Sequence, residues 1–328
     1  LIERFKDMPY TPRERNRSML TPTQKQTAQS IVNLFETGVV LGDYGSVTVI
    51  PGDTGHLTFG RSQTTLTSGN LLDLLTRYCT NDGARFGHRL SPWLPRFAAI
   101  DLSLDNDLRL HNLLRATADD PIMRETQDVF FDEVYWRTAA RIAANIGITS
   151  ALGTAVVYDS TVHGSWKAMR DRTIAKSGSL TALGEKKWIK AYVNTRRAWL
   201  TSHPRSDLRK TAYRMEAFLR LIEQGYWGLE LPLVIRGAEI SLSTLRATPP
   251  GCYDGPQPGT RSIALQTPLA RGLDVRLVQL GLSENGVAIK ADGIFGQTSV
   301  NLLKKYQVSA GLPGTGVADP MLISRLVE

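Results

Sequence analysis

Phe35-Glu36-Thr37-Gly38 and Gly52-Asp53-Thr54-Gly55-His56-Leu57-Thr58-Phe59-Gly60 decide how this chain is read. The polar, Gln-rich segment Thr23 to Phe35 reads as a helix that delivers Glu36 at its end. Thr21-Pro22-Thr23-Gln24 supplies the start signal, an N-cap followed by Pro in the first turn. A β-prone run, Ser46 to Ile50, comes next. A Pro-Gly turn then presents Asp53 ahead of a second β-prone run, His56 to Phe59. The pattern places two carboxylates on opposite walls of a helix-to-hairpin cleft. That is the minimum equipment for splitting a glycosidic bond: one acid donates a proton to the leaving oxygen, and the other, ionised, activates water or attacks. Taken alone, a Glu ahead of Thr-Gly is also ordinary helix-end chemistry. Asp43, on a Gly-flanked turn, is a second possibility for the ionised acid.

Downstream of the hairpin region, Ser68-Gly69-Asn70 opens a helix with Leu71, Leu72, Leu74, Leu75 and Tyr78 as its apolar face. Residues 85–122 read as short helical pieces broken by Pro92, Pro95 and Pro121. A long helix follows from Pro121 to Asn145, with Val129, Phe130, Val134, Trp136, Ala140 and Ala144 as its apolar positions, and Gly147 ends it. Thr149-Ser150 starts another, Ala151 to His163, which is apolar all round apart from Asp159 and His163. Such a helix belongs in the middle of a domain. Asp159 on it requires a cationic partner, because an unpaired buried carboxylate costs several kcal/mol. The partners in reach are Arg196 or Arg197 and Arg214, on two later helices. The network so formed would pin the helices behind the cleft.

Composition bounds the rest. At 328 residues the chain suits two domains. Its net charge is +8 and its pI is about 9.5, which favours an anionic partner and disfavours a polycationic substrate. No basic run is interleaved with aromatics, so nucleic acid is not expected as a partner. No apolar run reaches membrane-span length, so no membrane partner is expected. The histidines show no metal-ligand spacing, and no phosphate loop or nucleophile elbow is present, so no cofactor or metal is expected. Cys79 and Cys252 could pair in a disulfide or stay as free thiols. The chain opens at Leu1 without a basic-then-apolar leader, as a mature form or an excised piece would.

From Ala247 the texture changes. Thr248-Pro249-Pro250-Gly251 through Pro258-Gly259-Thr260 is Pro/Gly-rich and reads as a linker. Beyond it stand Asp274-Val275-Arg276, Asp292-Gly293-Ile294-Phe295-Gly296, Tyr306-Gln307, Gly311-Leu312 and Gly316-Val317-Ala318-Asp319. These read as three short helices with a tight glycine turn, too small for much chemistry and suited to binding. In motif and order they resemble the peptidoglycan-binding module at the ends of many cell-wall hydrolases. The resemblance implies that the turn carrying Asp292 and Phe295 lies near the wall polymer.

Residues 23 to about 240 resemble glycoside hydrolase family 46, the chitosanase-type branch of the lysozyme superfamily. The resemblance rests on Glu36 at a helix end, Asp53 and Thr58 with Gly60, the buried helix through Asp159 with His163-Gly164, Tyr192 to Arg196, and Arg214. It implies an inverting hydrolase. Glu36 would be the general acid, with a pKa raised toward neutrality. Asp53 would be the base and Thr58 the holder of the attacking water, with Asp159, Arg196 and Arg214 as the supporting network. Inversion implies carboxyls about 6.5–9.5 Å apart.

The expected fold is therefore mainly α, a lysozyme-like α+β arrangement. A lead-in over 1–22 precedes a two-lobed helical catalytic domain over 23–246 with a small β-hairpin region. A linker over 247–268 and a three-helix domain over 269–328 follow. Where the family carries Arg-Gly-Tyr between base and Thr, this chain has Thr54-Gly55-His56-Leu57. Asn70 stands where an acidic subsite is expected. With the basic charge, these changes suit N-acetylated sugars and an anionic wall, with His56 and Asn70 as substrate contacts. The expected function is a muramidase cutting the MurNAc-β1,4-GlcNAc bond; the alternatives are a chitosanase and a non-catalytic wall adaptor. Such a protein would be secreted or delivered to a bacterial periplasm, where an immunity protein or secretion machinery could be its partner.

Overall fold

The computed structural model of the chain describes residues 20–61 and 63–327; most of the expected lead-in lies outside them. Helix α1, Pro22–Glu36, starts at Thr21, whose hydroxyl accepts from Gln24 N while the Gln24 side chain accepts from Thr21 N, a reciprocal cap. Three two-residue strands follow, β1 Val47–Thr48, β2 Thr58–Phe59 and β3 Thr64–Thr65, in an antiparallel sheet ordered β1-β2-β3. The pairing is shorter than the β-prone runs, and the third strand was not foreseen. Helix α2 spans Asn70–Cys79. Short helical pieces cover Gly87–Leu90, Ser91–Trp93 and Leu94–Ala98, with Pro92 and Pro95 in first turns, where a missing N–H costs nothing. A 3-10 turn, Leu102–Asn106, leads into α3, Leu108–Thr117, which Asp107 caps.

Helix α4, Pro121–Phe131, runs through a π turn, Asp132–Trp136, into α5, Arg137–Ile146. The expected single face fails here for a physical reason. A π turn adds a residue to the helical cycle and rotates the faces that follow. Phe130, Trp136, Ala139 and Ala143 are buried, whereas Val129 and Val134 are exposed and Ala140 and Ala144 only half-buried. Then come α6 Ala151–Val162, α7 Trp166–Ser177, α8 Glu185–Thr201 and α9 Tyr213–Gln224. A hairpin of β4 Leu233–Ile235 and β5 Ala238–Ile240 follows. The terminal segment pairs β6 Ala270–Arg271 with β7 Ile294–Phe295 and adds α10 Leu273–Glu284, α11 Gln297–Ser309 and α12 Pro320–Val327.

The chain divides into two compact units. Of the described residues, the first comprises those up to Val40 with Glu133–Leu245; the second, those of Leu41–Asp132 and from Arg246 onward. At the centre of the first lies α6, every residue of which from Ala151 to Ser160 is buried. Helices α1, α5, α8 and α9 all pack on it. Its Leu152, Val156 and Val157 are fully enclosed, each worth roughly 1.5–3 kcal/mol of apolar transfer. In the second unit Leu57, Phe59, Leu71, Leu74, Leu75, Tyr78, Leu110, Leu113 and Leu114 share one core with Leu273, Leu277 and Leu280 of α10. Cys79 and Cys252 are free thiols. Among the described residues no helix is long and apolar enough to cross a membrane.

Candidate active site

Glu36 is the last residue of α1. Its position is fixed by the residue before it. The Phe35 ring meets the Phe218 ring edge-on at 5.5 Å and the Tyr213 ring at 5.9 Å, and the Tyr213 hydroxyl donates to Phe35 O at 2.7 Å. The end of α1 is thereby pinned to the start of α9, which places Arg214 beside Glu36. Arg214 Nη2 donates to Glu36 Oε1 at 2.7 Å, and its Nη1 donates to Asp159 Oδ1 at 2.8 Å. Arg196 Nη1 donates to Asp159 Oδ2 and, at 3.0 Å, to Ser160 Oγ. Arg196 Nη2 lies 3.0 Å from His163 Nδ1. Of the arginines foreseen as partners, Arg197 is not one: it forms an exposed pair with Glu216.

This network is deeply buried at one end and open at the other. The Asp159 and Arg196 side chains have no exposure and Arg214 has 3%, whereas Glu36 keeps 43%. Burial alone would raise the Asp159 carboxyl. The two guanidiniums more than offset that and hold it below its ordinary value. Burial, then Arg214 and Arg196, push His163 down. Facing a permanent cation, His163 Nδ1 acts as acceptor, so its proton sits on Nε2.

Asp53 and His56 lie on one loop of the second unit, and Thr58 opens strand β2 at its end. Asp53 is exposed, and its Oδ1 accepts from Gly55 N at 3.3 Å. A Cβ on Gly55 would stand 3.2 Å from Asp53 Oδ2 and 2.9 Å from Thr65 Cγ2, so this position accommodates little beyond glycine. His56 has φ +57°, a left-handed conformation uncommon outside glycine, with Asn, Asp and His the side chains that enter it most often. Asp105, on the 3-10 turn, holds it there. Its Oδ2 lies 2.7 Å from His56 Nδ1 and its Oδ1 accepts from Leu57 N at 2.8 Å. The Thr58 hydroxyl donates to His56 O at 3.0 Å.

The other expected site residues fall elsewhere. Asn70 is the first residue of α2 and half-buried. Asp43 is exposed and closes its own turn, accepting from Gly45 N at 3.2 Å. Asp292 Oδ1 accepts from Ile294 N at 2.9 Å and from Gln279 Nε2 at 3.0 Å. Phe295 is not a substrate contact: it has no exposure and packs in the core formed by Val275, Val278, Leu303 and Ile323. Strand alternation explains the difference, since pairing β7 with β6 turns Phe295 inward. Two residues had no role assigned from the sequence. His163 stood out as a polar position of its helix and in a His-Gly pair, without its bond to Arg196 being foreseen, and Asp105 stands 49 positions from its partner, with no spacing to reveal it.

Residues 30–233 match Glycosyl hydrolase family 46. The chain belongs to that family. Residues 271–326 match a putative peptidoglycan binding domain. A chitosanase of Bacillus subtilis (strain 168) is 26% identical over 237 residues, covering 67% of this chain and 84% of that protein. The family 46 chitosanase of Gynuella sunshinyii, solved in complex with chitotetraose, is 27% identical. It has a TM-score of 0.53 and covers 69% of this chain and 99% of that one. A native chitosanase of Bacillus subtilis MY002 shares the fold at a TM-score of 0.54 and 23% identity, over 69% and 100% of the two chains. The protein is a family 46 glycoside hydrolase with the mainly helical, lysozyme-like α+β fold of that family.

Proposed function

We propose that this family 46 enzyme hydrolyses the glycan strand of peptidoglycan, at the MurNAc-β1,4-GlcNAc bond, with inversion. The supporting observation is the peptidoglycan-binding match over residues 271–326 in the same chain as the hydrolase, in a protein of net charge +8. A polyanionic wall attracts such a chain and a polycationic glycan does not.

Glu36 donates its proton to the leaving glycosidic oxygen. Arg214 then faces the carboxylate that the donation leaves, and it is itself held by Asp159. Asp53 takes a proton from the water that attacks the anomeric carbon. The Thr58 hydroxyl spends its hydrogen on His56 O, so toward that water it can only accept, and it orients the water through the proton that stays behind. His56 and Asn70 contact the sugar flanking the cut. Asp292 serves wall binding. The reaction would take place in a bacterial wall or periplasm.

A second reading, hydrolysis of chitosan, draws on the relatives, which are chitosanases. Mass spectrometry of digests separates the two. Purified sacculi should yield new reducing MurNAc ends, and Glu36→Gln should abolish them. Cleavage of peptide cross-links alone would overturn glycan hydrolysis, and glucosamine oligomers from chitosan with intact sacculi would select the second reading.

A further inference from the structure

Helix α10 of the terminal segment carries apolar residues on two faces, and each face belongs to a different core. Val275, Val278 and Leu282 pack with Phe295, Leu303 and Ile323 of the terminal segment itself. Leu273, Leu277 and Leu280 face α3 and share one core with its Leu110, Leu113 and Leu114, a core that also holds Leu57 beside His56. Every residue from Leu273 to Ser283 is buried. The polar groups between the two cores are matched to one another. Asn112 of α3 has no exposure. Its Nδ2 donates to Ser283 Oγ at 2.9 Å and Ile289 O at 2.7 Å, and its Oδ1 accepts from Ala291 N at 2.9 Å. Arg276 lies with its Nε 2.7 Å from Asp119 Oδ2, both side chains buried, and donates to Ala291 O at 2.9 Å.

The Pro/Gly-rich stretch between the two segments is part of the same assembly. Leu273 N and Asp274 N, at the start of α10, donate to Gly255 O and Pro256 O, each at 3.1 Å. Tyr253 N donates to Asp119 Oδ1 at 2.8 Å. The Tyr253 ring covers Gly293 so closely that a Cβ there would meet it at 2.2 Å. A tethered anchor would not bury a charge pair and a fully bonded amide against the body it is tethered to, since each is costly unless its partner is always present.

We propose that the terminal domain, beyond any binding role, is a positioning element for the catalytic loop Asp53–Thr58. The connection is continuous. Helix α10 holds α3 through Asn112. Asp107 caps α3 and adjoins the 3-10 turn that bears Asp105. Asp105 grips His56 and Leu57, and Leu57 sits in the core that α10 completes. Loosening α10 from α3 therefore frees the loop that carries Asp53 and Thr58. The proposal stands whichever glycan the enzyme cuts.

Hydrogen exchange of the full-length chain tests it, read by mass spectrometry without any substrate. Ser283→Ala removes one acceptor of Asn112, and Asn112→Ala removes all three of its bonds to the terminal segment, along with the one it accepts from Arg115. Exchange should quicken several-fold in α3, α10 and the 53–59 loop together, more for Asn112→Ala, with α8 and α9 unchanged. In the unaltered protein α3 and α10 should open as one cooperative unit. Faster exchange of α10 with an unaltered loop would overturn the proposal. So would opening of α10 in the unaltered protein while α3 stays protected. Should Asn112→Ala fail to fold, Ser283→Ala and the unaltered protein still decide.

Discussion

Arg214 joins Glu36 to Asp159 by giving one guanidinium nitrogen to each. The helix-end acid is thus tied to a carboxylate with no exposure, Asp159, through a single side chain. A lysine cannot span the two, because its donors radiate from one point. Arg214→Lys should lower kcat by about 10²-fold, the scale of a misplaced catalytic group, with a smaller change in KM. Steady-state kinetics on sacculi or on a soluble glycan checks this.

Asp159 balances two buried guanidiniums. Asp159→Asn leaves Arg196 with neutral partners only and Arg214 with Glu36 as its one carboxylate, and should cost about 3–5 kcal/mol of stability. The pH dependence follows from the direction of its shift. Held below its ordinary value, Asp159 contributes stability above about pH 3.9 that is lost as pH falls through its folded pKa. Acid unfolding followed by circular dichroism should show that loss in the unaltered protein and a flatter curve in Asp159→Asn.

Asp119 runs the other way. Burial pushes its carboxyl up to about 6, against the pull of Arg276. The folded state then holds the proton more tightly than the unfolded state. Its contribution is complete below about pH 3.9 and is lost as pH rises through about 6. Asp119→Asn keeps an acceptor for Tyr253 N and should erase the slope of stability between those values. Melting temperatures measured across that range give the answer.

Asp105→Asn should act on the loop and not on the whole. An amide in place of a carboxylate weakens the bonds to His56 and Leu57, which are worth about 1.5–3 kcal/mol each with a charged acceptor. Activity should fall more than melting temperature. Asp105→Glu should restore little, because the two bonds require a side chain of this length.

What could be read from the residues depended on how local the cause was. Asp159 announced itself because a charge on a helix apolar all round demands a partner, and two of the three arginines named for it are the ones found. Glu36 at its helix end followed from Pro22 and Gly38. Asp105 left no trace, since its bond to His56 arises only when a 3-10 turn folds back on the strand region. The π turn at Asp132–Trp136 misaligned the expected apolar face, because no period in the sequence signals an added residue. Phe295 went to a core for a different reason: pairing partners decide which way a strand residue points.

Helix α10 also bears on how such a chain can change over generations. A domain that is swapped between proteins as a cassette needs a surface that tolerates new neighbours. Here Gly281 lets the backbone of α12 approach so closely that a Cβ would meet Leu326 O at 2.0 Å, while the opposite side of the same helix fills a different core. Substitutions along α10 must satisfy two sets of neighbours at once. A homologous module grafted in place of this terminal domain would therefore need α3 grafted with it.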